Sequence, residues 1–126
     1  MIDHSQGSFS DYKEKDIWKR AFNGALRVIE TTKKFPRSMS NDIIARQMIR
    51  SATSIGANLS EASAAISRKE FHSFVNIARR EAIETDYWLR ICYQANIVDK
   101  PLIESMGKEY QEIVKILSSI AKQSIQ

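Results

Sequence analysis

The chain has 126 residues, a formal net charge of +4 at pH 7 and a single cysteine. This length fits one domain with its own hydrophobic core, while a lone cysteine excludes an intramolecular disulfide framework and fits a reducing compartment. No apolar run approaches the ~20 residues that cross a bilayer, and the first residues lack the pattern of a signal peptide, so we expect a cytoplasmic protein without membrane contact.

The spacing of apolar residues predicts four helices and no strand. The first helix begins near Lys13 and ends before Pro36, which cannot continue it. Residues 1–11 lack an apolar stripe, so we expect a mobile tail there and a single domain over residues 12–126. The predicted inward face of the first helix consists of Trp18, Phe22, Ala25, Ile29 and Thr32.

Basic residues are concentrated in the first third of the chain. Residues 13–50 contain ten Lys or Arg against four Asp or Glu. Some recur every seven residues, so we expect them to form a line along the solvent side of the first helix, offset only by Asp16 and Glu30. This surplus indicates either a solvated face or a polyanionic partner. The candidate nucleic-acid-binding residues are Lys13, Arg20, Arg27, Lys34, Arg37 and Arg46.

The second helix, with Ser40 as its predicted cap, has almost no charge. Residues 51–66 contain one charged side chain, Glu61. A helix without a polar face is buried on most sides, so its small residues either pack tightly inside the bundle or form an oligomer interface. The candidate interface residues are Thr53, Gly56, Ala57, Ser60 and Ala64. The predicted inward row is Ile44, Met48, Ser51, Ile55, Leu59, Ala62 and Ile66.

Two further helices complete the predicted fold. Ser67 and Glu70 form a capping box at the start of the third helix, which is expected to end at Asn96. Asp99 and Pro101 begin the fourth. Because short connections make sequential helices antiparallel, we predict an all-α, up-down-up-down four-helix bundle. The inward rows are Phe71, Phe74, Val75, Ala78, Ala82, Thr85, Leu89 and Cys92 on the third helix, and Ile103, Met106, Tyr110, Ile113, Leu117 and Ile120 on the fourth.

Several polar residues are predicted to have structural roles. Pairing the second and third helices about Ser67 places Arg50 near Glu84, which favours an ion pair. Asn58 lies at the edge of the core, where its side chain must find hydrogen-bond partners. Tyr87 and Trp88 are interpreted as packing and interface aromatics. The structural polar set is Arg50, Asn58, Glu61, Glu81 and Glu84.

No pattern of residues indicates catalysis. The di-iron helical bundles need a Glu-x-x-His motif on two helices, and His72 has Lys69 where that motif requires a carboxylate. Cys92 lies on a buried row and therefore makes a poor nucleophile. We expect no enzymatic activity, no cofactor and no metal ion.

Two long segments carry a family resemblance. RSATSIGANLSEASAAISRKEF at 50–71 and NIARREAIETDYWLR at 76–90 resemble the bacterial 23S rRNA intervening-sequence protein family. The similarity extends over residues 13–120 and includes IWKRAF in the first helix. It implies a short up-down bundle that assembles into a ring, typically a homopentamer. The accessory proteins of diversity-generating retroelements are similar in their basic pentameric shape, and nucleic-acid binding is the leading function that the resemblance implies.

Two functions follow as hypotheses. In the first, an oligomeric, non-enzymatic module binds RNA or DNA through its basic faces and assists a nucleic-acid-processing protein. In the second, the oligomer is a protein-interaction scaffold with no direct role on nucleic acid. Binding that weakens steeply with salt would favour the first hypothesis, because phosphate contacts release counterions.

Overall fold

The computed structural model describes residues 12–123, with side chains from residue 16 onward. Four helices make up the fold: α1 (Tyr12–Thr32), α2 (Met39–Ser63), α3 (Arg68–Gln94) and α4 (Lys100–Ala121). No strand occurs within this range, which confirms the all-α prediction. The tail predicted over residues 1–11 lies outside the described residues. No helix in the described range is long and apolar enough to cross a membrane.

The helices enclose one apolar core. α2 packs against α1 and α3, α3 packs against α4, and α1 meets α4 in the least extensive of these four contacts. The predicted inward rows of α3 and α4 are confirmed, except that Phe74 is only half-buried. On α2 the row is confirmed from Met48 to Ala62, whereas Ile44 is half-buried.

The inward face of α1 differs from the predicted one. The buried residues are Ile17, Ala21, Val28 and Thr31, one position before most of the predicted row. Phe22, which belongs to the predicted row, is 48% exposed. The helix carries two adjacent apolar stripes, and the stripe with the smaller residues faces the core because it lets α4 approach closely. The stripe with the larger aromatic residues is left at the surface.

The start of α2 lies earlier than predicted. Ser38, not Ser40, is the N-cap, and its Oγ accepts a hydrogen bond from the Asn41 backbone N–H at 3.0 Å. The Asn41 side chain donates to the Pro36 carbonyl at 2.8 Å, which fastens the incoming chain to the first turn. Ser38 thus satisfies a backbone N–H that a helix terminus otherwise leaves unpaired, and Asn41, in the first turn of α2, holds the connection in place.

The turn between α2 and α3 largely follows the predicted capping box. Ser67 Oγ accepts from the Glu70 backbone N–H at 3.1 Å, as predicted. The Glu70 carboxylate accepts from the Ile66 N–H at 3.3 Å, one residue before the cap itself. The prediction that Ile66 faces the core is wrong: its side chain is 90% exposed because α2 has already ended, and Ala65 is buried instead.

The end of α3 is confirmed at Asn96, which adopts φ 55°. The N–H of Ile97 donates to the Cys92 carbonyl at 3.2 Å, and the N–H of Asn96 donates to the Tyr93 carbonyl at 3.3 Å. This pair of hydrogen bonds is a Schellman motif, and the buried side chain of Ile97 supplies its usual hydrophobic contact. The chain therefore leaves α3 in a defined direction toward α4.

One close contact sets the separation of α1 and α4. Tyr110 is 1% exposed, and its hydroxyl has no hydrogen-bond partner among the described residues. A Cβ atom added to Gly24 would lie 2.8 Å from the Tyr110 Oη atom. The glycine thus leaves the space that the phenol occupies, and burial raises the pKa of Tyr110.

Replacing Gly24 by Ala should therefore destabilise the fold, although alanine favours helix formation. Overpacking costs about 1–3 kcal/mol and the helix-propensity gain is about 1 kcal/mol, so we expect a net loss of up to about 2 kcal/mol in the free energy of urea unfolding. Gly107→Ala is the matched control, because nothing lies within 4 Å of its added Cβ. It should raise the free energy of unfolding by about 0.5–1 kcal/mol. A stabilising Gly24→Ala would contradict this account of the contact.

Candidate functional site

A polar network joins the outer sides of α2 and α3. The Arg50 guanidinium donates to both carboxylate oxygens of Glu81, at 3.2 and 3.1 Å, and also to Glu84. This confirms the ion pair predicted between Arg50 and Glu84. Burial acts to raise the pKa of Glu84, but hydrogen bonds from Arg50 and the Trp88 indole outweigh it and hold the pKa below its usual value. The hydrogen bonds that Arg50 donates to Glu81 and Glu84 raise the pKa of Arg50.

Neighbouring side chains extend this network into the core. The Ser51 and Thr85 hydroxyls form a buried hydrogen bond of 2.8 Å. Ser54 donates to Glu81 at 3.3 Å, and the Asn58 amide donates to the Ser54 Oγ at 3.0 Å and its carbonyl at 2.9 Å. The Asn58 side chain therefore has the hydrogen-bond partners that its predicted structural role requires.

Glu61 is the exception in the predicted structural polar set. Its side chain is exposed and makes no ion pair or hydrogen bond within the described residues. The residue lies on the outer side of α2, beyond the reach of Arg50. The prediction of a structural ion pair is thus confirmed for Glu81 and Glu84 and is wrong for Glu61.

An open groove of about 340 Å³ lies between α1 and α2. Phe22 and Leu26 stand on its α1 side with 48% and 49% of their surfaces exposed. At one end the Trp18 indole N–H donates to Ser60 Oγ at 2.9 Å, and the Trp18 ring stacks on Phe22 at 5.1 Å. Among the residues that the structure describes, no charged side chain lines the groove. Its lining is Trp18, Ala21, Phe22, Ala25, Leu26, Ile29, Thr53, Gly56, Ala57 and Ser60.

Four of the five predicted interface residues line this groove, and Ala64 is exposed just beyond the end of α2. A Cβ atom added to Gly56 would meet only the Ala21 Cβ, at 4.0 Å, which is an ordinary contact. The fold of one chain therefore does not require glycine at position 56. This weakens the alternative that Gly56 serves a tight helix crossing inside the bundle.

Two cations of the predicted line, Arg20 and Arg27, contact α4, whereas Arg27 and Lys34 are exposed to solvent as predicted. Arg20 donates to both carboxylate oxygens of Glu109, at 2.9 and 2.7 Å, and this hydrogen-bonded pair raises the pKa of Arg20. Arg27 donates to Ser105 at 2.9 Å. The expectation that only Asp16 and Glu30 offset the line is wrong, because α4 supplies further carboxylates. The side chain of Lys13 lies outside the described residues.

Charge is balanced along this seam between α1 and α4. Two cavities, of about 460 and 610 Å³, follow it. Four cations and four carboxylates line them, so the seam is not a basic surface. The cations are Lys19, Arg20, Arg27 and Lys108, and the carboxylates are Asp16, Glu104, Glu109 and Glu112.

The connection between α1 and α2 keeps a basic surplus. Lys33 pairs with Glu30 at 3.0 Å, and Arg37 pairs with Asp42 at 2.9 Å. The remaining two cations are Lys34 and Arg46, which are exposed and have no ion pair within the described residues. We call residues 30–46 the basic turn.

The other residues with chemical potential are buried or isolated. Cys92 is inaccessible, and burial raises its pKa to about 11. His72 is 5% exposed, and neither of its ring nitrogens has a hydrogen-bond partner within the described residues. The ring instead meets Phe71 edge-on, at 5.5 Å between centroids. No group of His, Cys, Asp and Glu in the described range could hold a metal ion.

The burial of His72 is the feature that sequence reasoning missed. It directly follows Phe71 on α3, and no spacing of apolar residues marked it as a core position.

Comparisons with known proteins agree with the four-helix fold. A family model described as 23S rRNA-intervening sequence protein matches residues 13–119. The chain is also similar to the crystal structure of a protein of unknown function from the S23 ribosomal protein family of Bacteroides thetaiotaomicron. The identity is 34%, the alignment covers 88% of this chain and 99% of that one, and the TM-score is 0.81. Neither description names an enzymatic activity, and no curated protein matches.

Glu84→Gln should make stability less dependent on pH. The folded-state pKa of Glu84 is lowered, so its contribution is present above about pH 4, the unfolded value, and is lost as the pH falls through the folded value. At pH 7 the variant should lose up to about 1 kcal/mol of unfolding free energy, since the pair is partly exposed, and the difference should vanish near pH 2. Glu61→Gln is the control and should cost little at either pH. A loss that persists at pH 2 would contradict the ion-pair origin.

Proposed function

Because the chain belongs to the 23S rRNA-intervening sequence protein family, we propose that it is a non-enzymatic module that self-assembles and binds nucleic acid. The proposed form is an up-down-up-down bundle in a homo-oligomeric ring, with five copies as the family resemblance implies. Its proposed ligand is RNA or DNA, held by phosphate contacts, and its proposed role is that of an accessory to a nucleic-acid-processing protein.

The uncharged α1–α2 groove supports self-assembly. It leaves Phe22 and Leu26 half-exposed, which is costly for a monomer in water. Its α2 wall has only small side chains, so another helix can approach closely. Since Gly56 is not needed for packing within one chain, a contact between copies gives this position a reason to lack a side chain.

The basic turn is the observation that carries the nucleic-acid proposal. It has four cations against two carboxylates. Lys34 and Arg46 have no ion pair within the described residues, although Arg46 attracts Asp42 electrostatically without a direct contact. Two such cations form a weak site in one copy. A ring repeats the turn in every copy, and several weak phosphate contacts on one polymer act together through effective concentration.

The seam between α1 and α4 is a poorer site. A phosphate there would have to displace Glu109 from Arg20 and would meet three more carboxylates. Arg20→Glu would also place two carboxylates against each other, so it would perturb the fold as well as any binding. We therefore assign the proposed phosphate contacts to Lys34 and Arg46.

The balanced charge of the seam favours the scaffold as the second candidate function. Much of the surface has paired charges, as a surface that meets folded proteins often has. A partner protein that stays bound after nuclease treatment, together with no binding of nucleic acid at low salt, would favour the scaffold.

Self-assembly predicts that the unmodified chain behaves in solution as a multiple of the chain mass. Light scattering at micromolar concentration should report this, with five copies expected. Gly56→Arg should convert it to a monomer, because a charged side chain would enter the uncharged groove and lose its water. Gly107→Arg, on the open surface of α4, should leave the oligomer intact. A monomeric unmodified chain would refute the assembly.

Nucleic-acid binding predicts sensitivity to charge at the basic turn. Lys34→Glu combined with Arg46→Glu should weaken binding to mixed-sequence single-stranded RNA and DNA by about tenfold or more, and should flatten its salt dependence. Fluorescence anisotropy over a salt series measures both quantities. Lys115→Glu combined with Lys122→Glu is the control. It makes the same charge change on exposed residues toward the C-terminal end of α4, away from the basic turn, and should weaken binding less. If both pairs act equally, the turn is not the site; if the unmodified chain does not bind, the proposal fails.

A further inference from the structure

Exposed large apolar side chains are unevenly distributed over the described helices. They occur on α1, α2 and α3 and at the α2–α3 turn, whereas α4 has none. Phe22 and Leu26 belong to the α1–α2 groove. On α3, Tyr87 is 54% exposed and Ile77 is 39% exposed, so a second apolar surface exists apart from the groove.

This second surface has a defined set of residues. Spacings of seven, four and three place Ile77, Glu84, Trp88 and Ile91 on one side of α3, with Tyr87 beside them. Tyr87 and Trp88 form an edge-to-face pair with centroids 5.1 Å apart. Their rings therefore form one aromatic patch, in which Tyr87 is exposed and Trp88 is half-buried. We call Ile77, Tyr87, Trp88 and Ile91 the α3 face.

Two of the polar groups beside the α3 face already have partners within the chain. The Trp88 indole N–H donates to Glu84 at 3.2 Å, and Glu84 also accepts from Arg50. Arg80, three residues after Ile77 and seven before Tyr87, is exposed and has no ion pair within the described residues, so its guanidinium must stay at the solvent rim of a contact that covers this face. The groove has no charged residue in its described lining. Apart from Arg80, both surfaces can therefore be covered without leaving a charge unpaired.

The two surfaces lie on opposite sides of α2. Thr53, Gly56 and Ser60 face the groove, whereas Arg50 and Ser54 contact α3. One copy therefore cannot cover its own groove with its own α3 face. A concave surface and a different raised surface on the same chain suit a head-to-tail contact, in which each copy donates one surface and receives the other.

We propose that the α3 face of one copy packs into the α1–α2 groove of the next, with Tyr87 and Trp88 against the small residues around Gly56. The occupant of the groove is thus a second copy of this chain. The inference rests on the proposed self-assembly and adds which surfaces meet and that they are different. Interfaces of ordinary size bury about 800 Å² per partner, so each copy would cover such an area twice.

Two variants with complementary defects test the proposal. Gly56→Arg blocks the groove but keeps the α3 face, and Tyr87→Lys disables the α3 face but keeps the groove. Each alone should be monomeric, while an equimolar mixture should contain heterodimers, because one intact contact can form between unlike copies. Sedimentation over a concentration series measures this. Ile66→Lys is the control for Tyr87→Lys: it replaces an exposed apolar residue at the α2–α3 turn, about 30 Å from Tyr87 along α3, and should leave the oligomer intact.

Disulfide cross-linking provides a second measurement that does not depend on the strength of a single contact. Ala57→Cys and Tyr87→Cys copies should form mixed cross-linked dimers when combined and oxidised, and neither should cross-link with itself. Cys92 is buried, so it should not contribute. The monomers are checked by circular dichroism to show that each variant folds.

The outcomes separate this inference from the assembly itself. Mixed dimers in both experiments support the head-to-tail contact. If Ala57→Cys copies cross-link with themselves, or if Tyr87→Lys leaves the oligomer unchanged, the α3 face is not the partner and the inference is overturned while self-assembly stands. If the unmodified chain is monomeric, both are overturned.

Discussion

The register between α2 and α3 is the constraint on which the remaining architecture depends. From residue 51 onward α2 consists mostly of small side chains. Such side chains interlock weakly with a neighbouring helix, so their shape alone does little to prevent one helix from sliding along the other. Directional polar contacts fix the alignment of the two helices instead. On the outside Arg50 donates to Glu81 and Glu84, and inside the Ser51 and Thr85 hydroxyls form a hydrogen bond. A shift by one turn would break the hydrogen bond between the two hydroxyls and separate Arg50 from its carboxylates. Each hydroxyl would keep only a carbonyl of its own helix, so the observed alignment is favoured.

The two sides of α2 therefore differ in chemical character. Its interhelical ion pairs within the described residues are directed at α3, whereas the side toward α1 is linked by the hydrogen bond from Trp18 to Ser60 and can remain small and uncharged. α1 does not fill the resulting space, because its own small stripe faces the core and its aromatic stripe stands at the rim. The groove is therefore a consequence of how α1 is rotated about its axis, and not of a missing side chain in the core.

Much of this fold could be predicted from the sequence, and the failures that concern α1 share one cause. α3 and α4 were predictable because each has a single apolar row, and Arg50 could be paired with Glu84 because a short turn fixes the offset between their helices. The inward face of α1 was not, since two adjacent stripes compete and the choice depends on how closely α4 approaches. The pairing of Arg20 with Glu109 depends on the same approach, across 89 positions of sequence. The spacing of residues within one helix predicts which side of that helix is apolar. It does not predict how closely α4, the last helix, packs against α1, the first.

That closure depends on the phenol of Tyr110 lying where Gly24 has no side chain. Side chains at the two positions would occupy the same space, so a substitution at one position constrains the residue that fits at the other. A relative with a larger residue at position 24 must have a smaller one at position 110, or its first and last helices must stand farther apart. Divergence at this pair would thus change the width of the seam, and with it the reach of every side chain that crosses it.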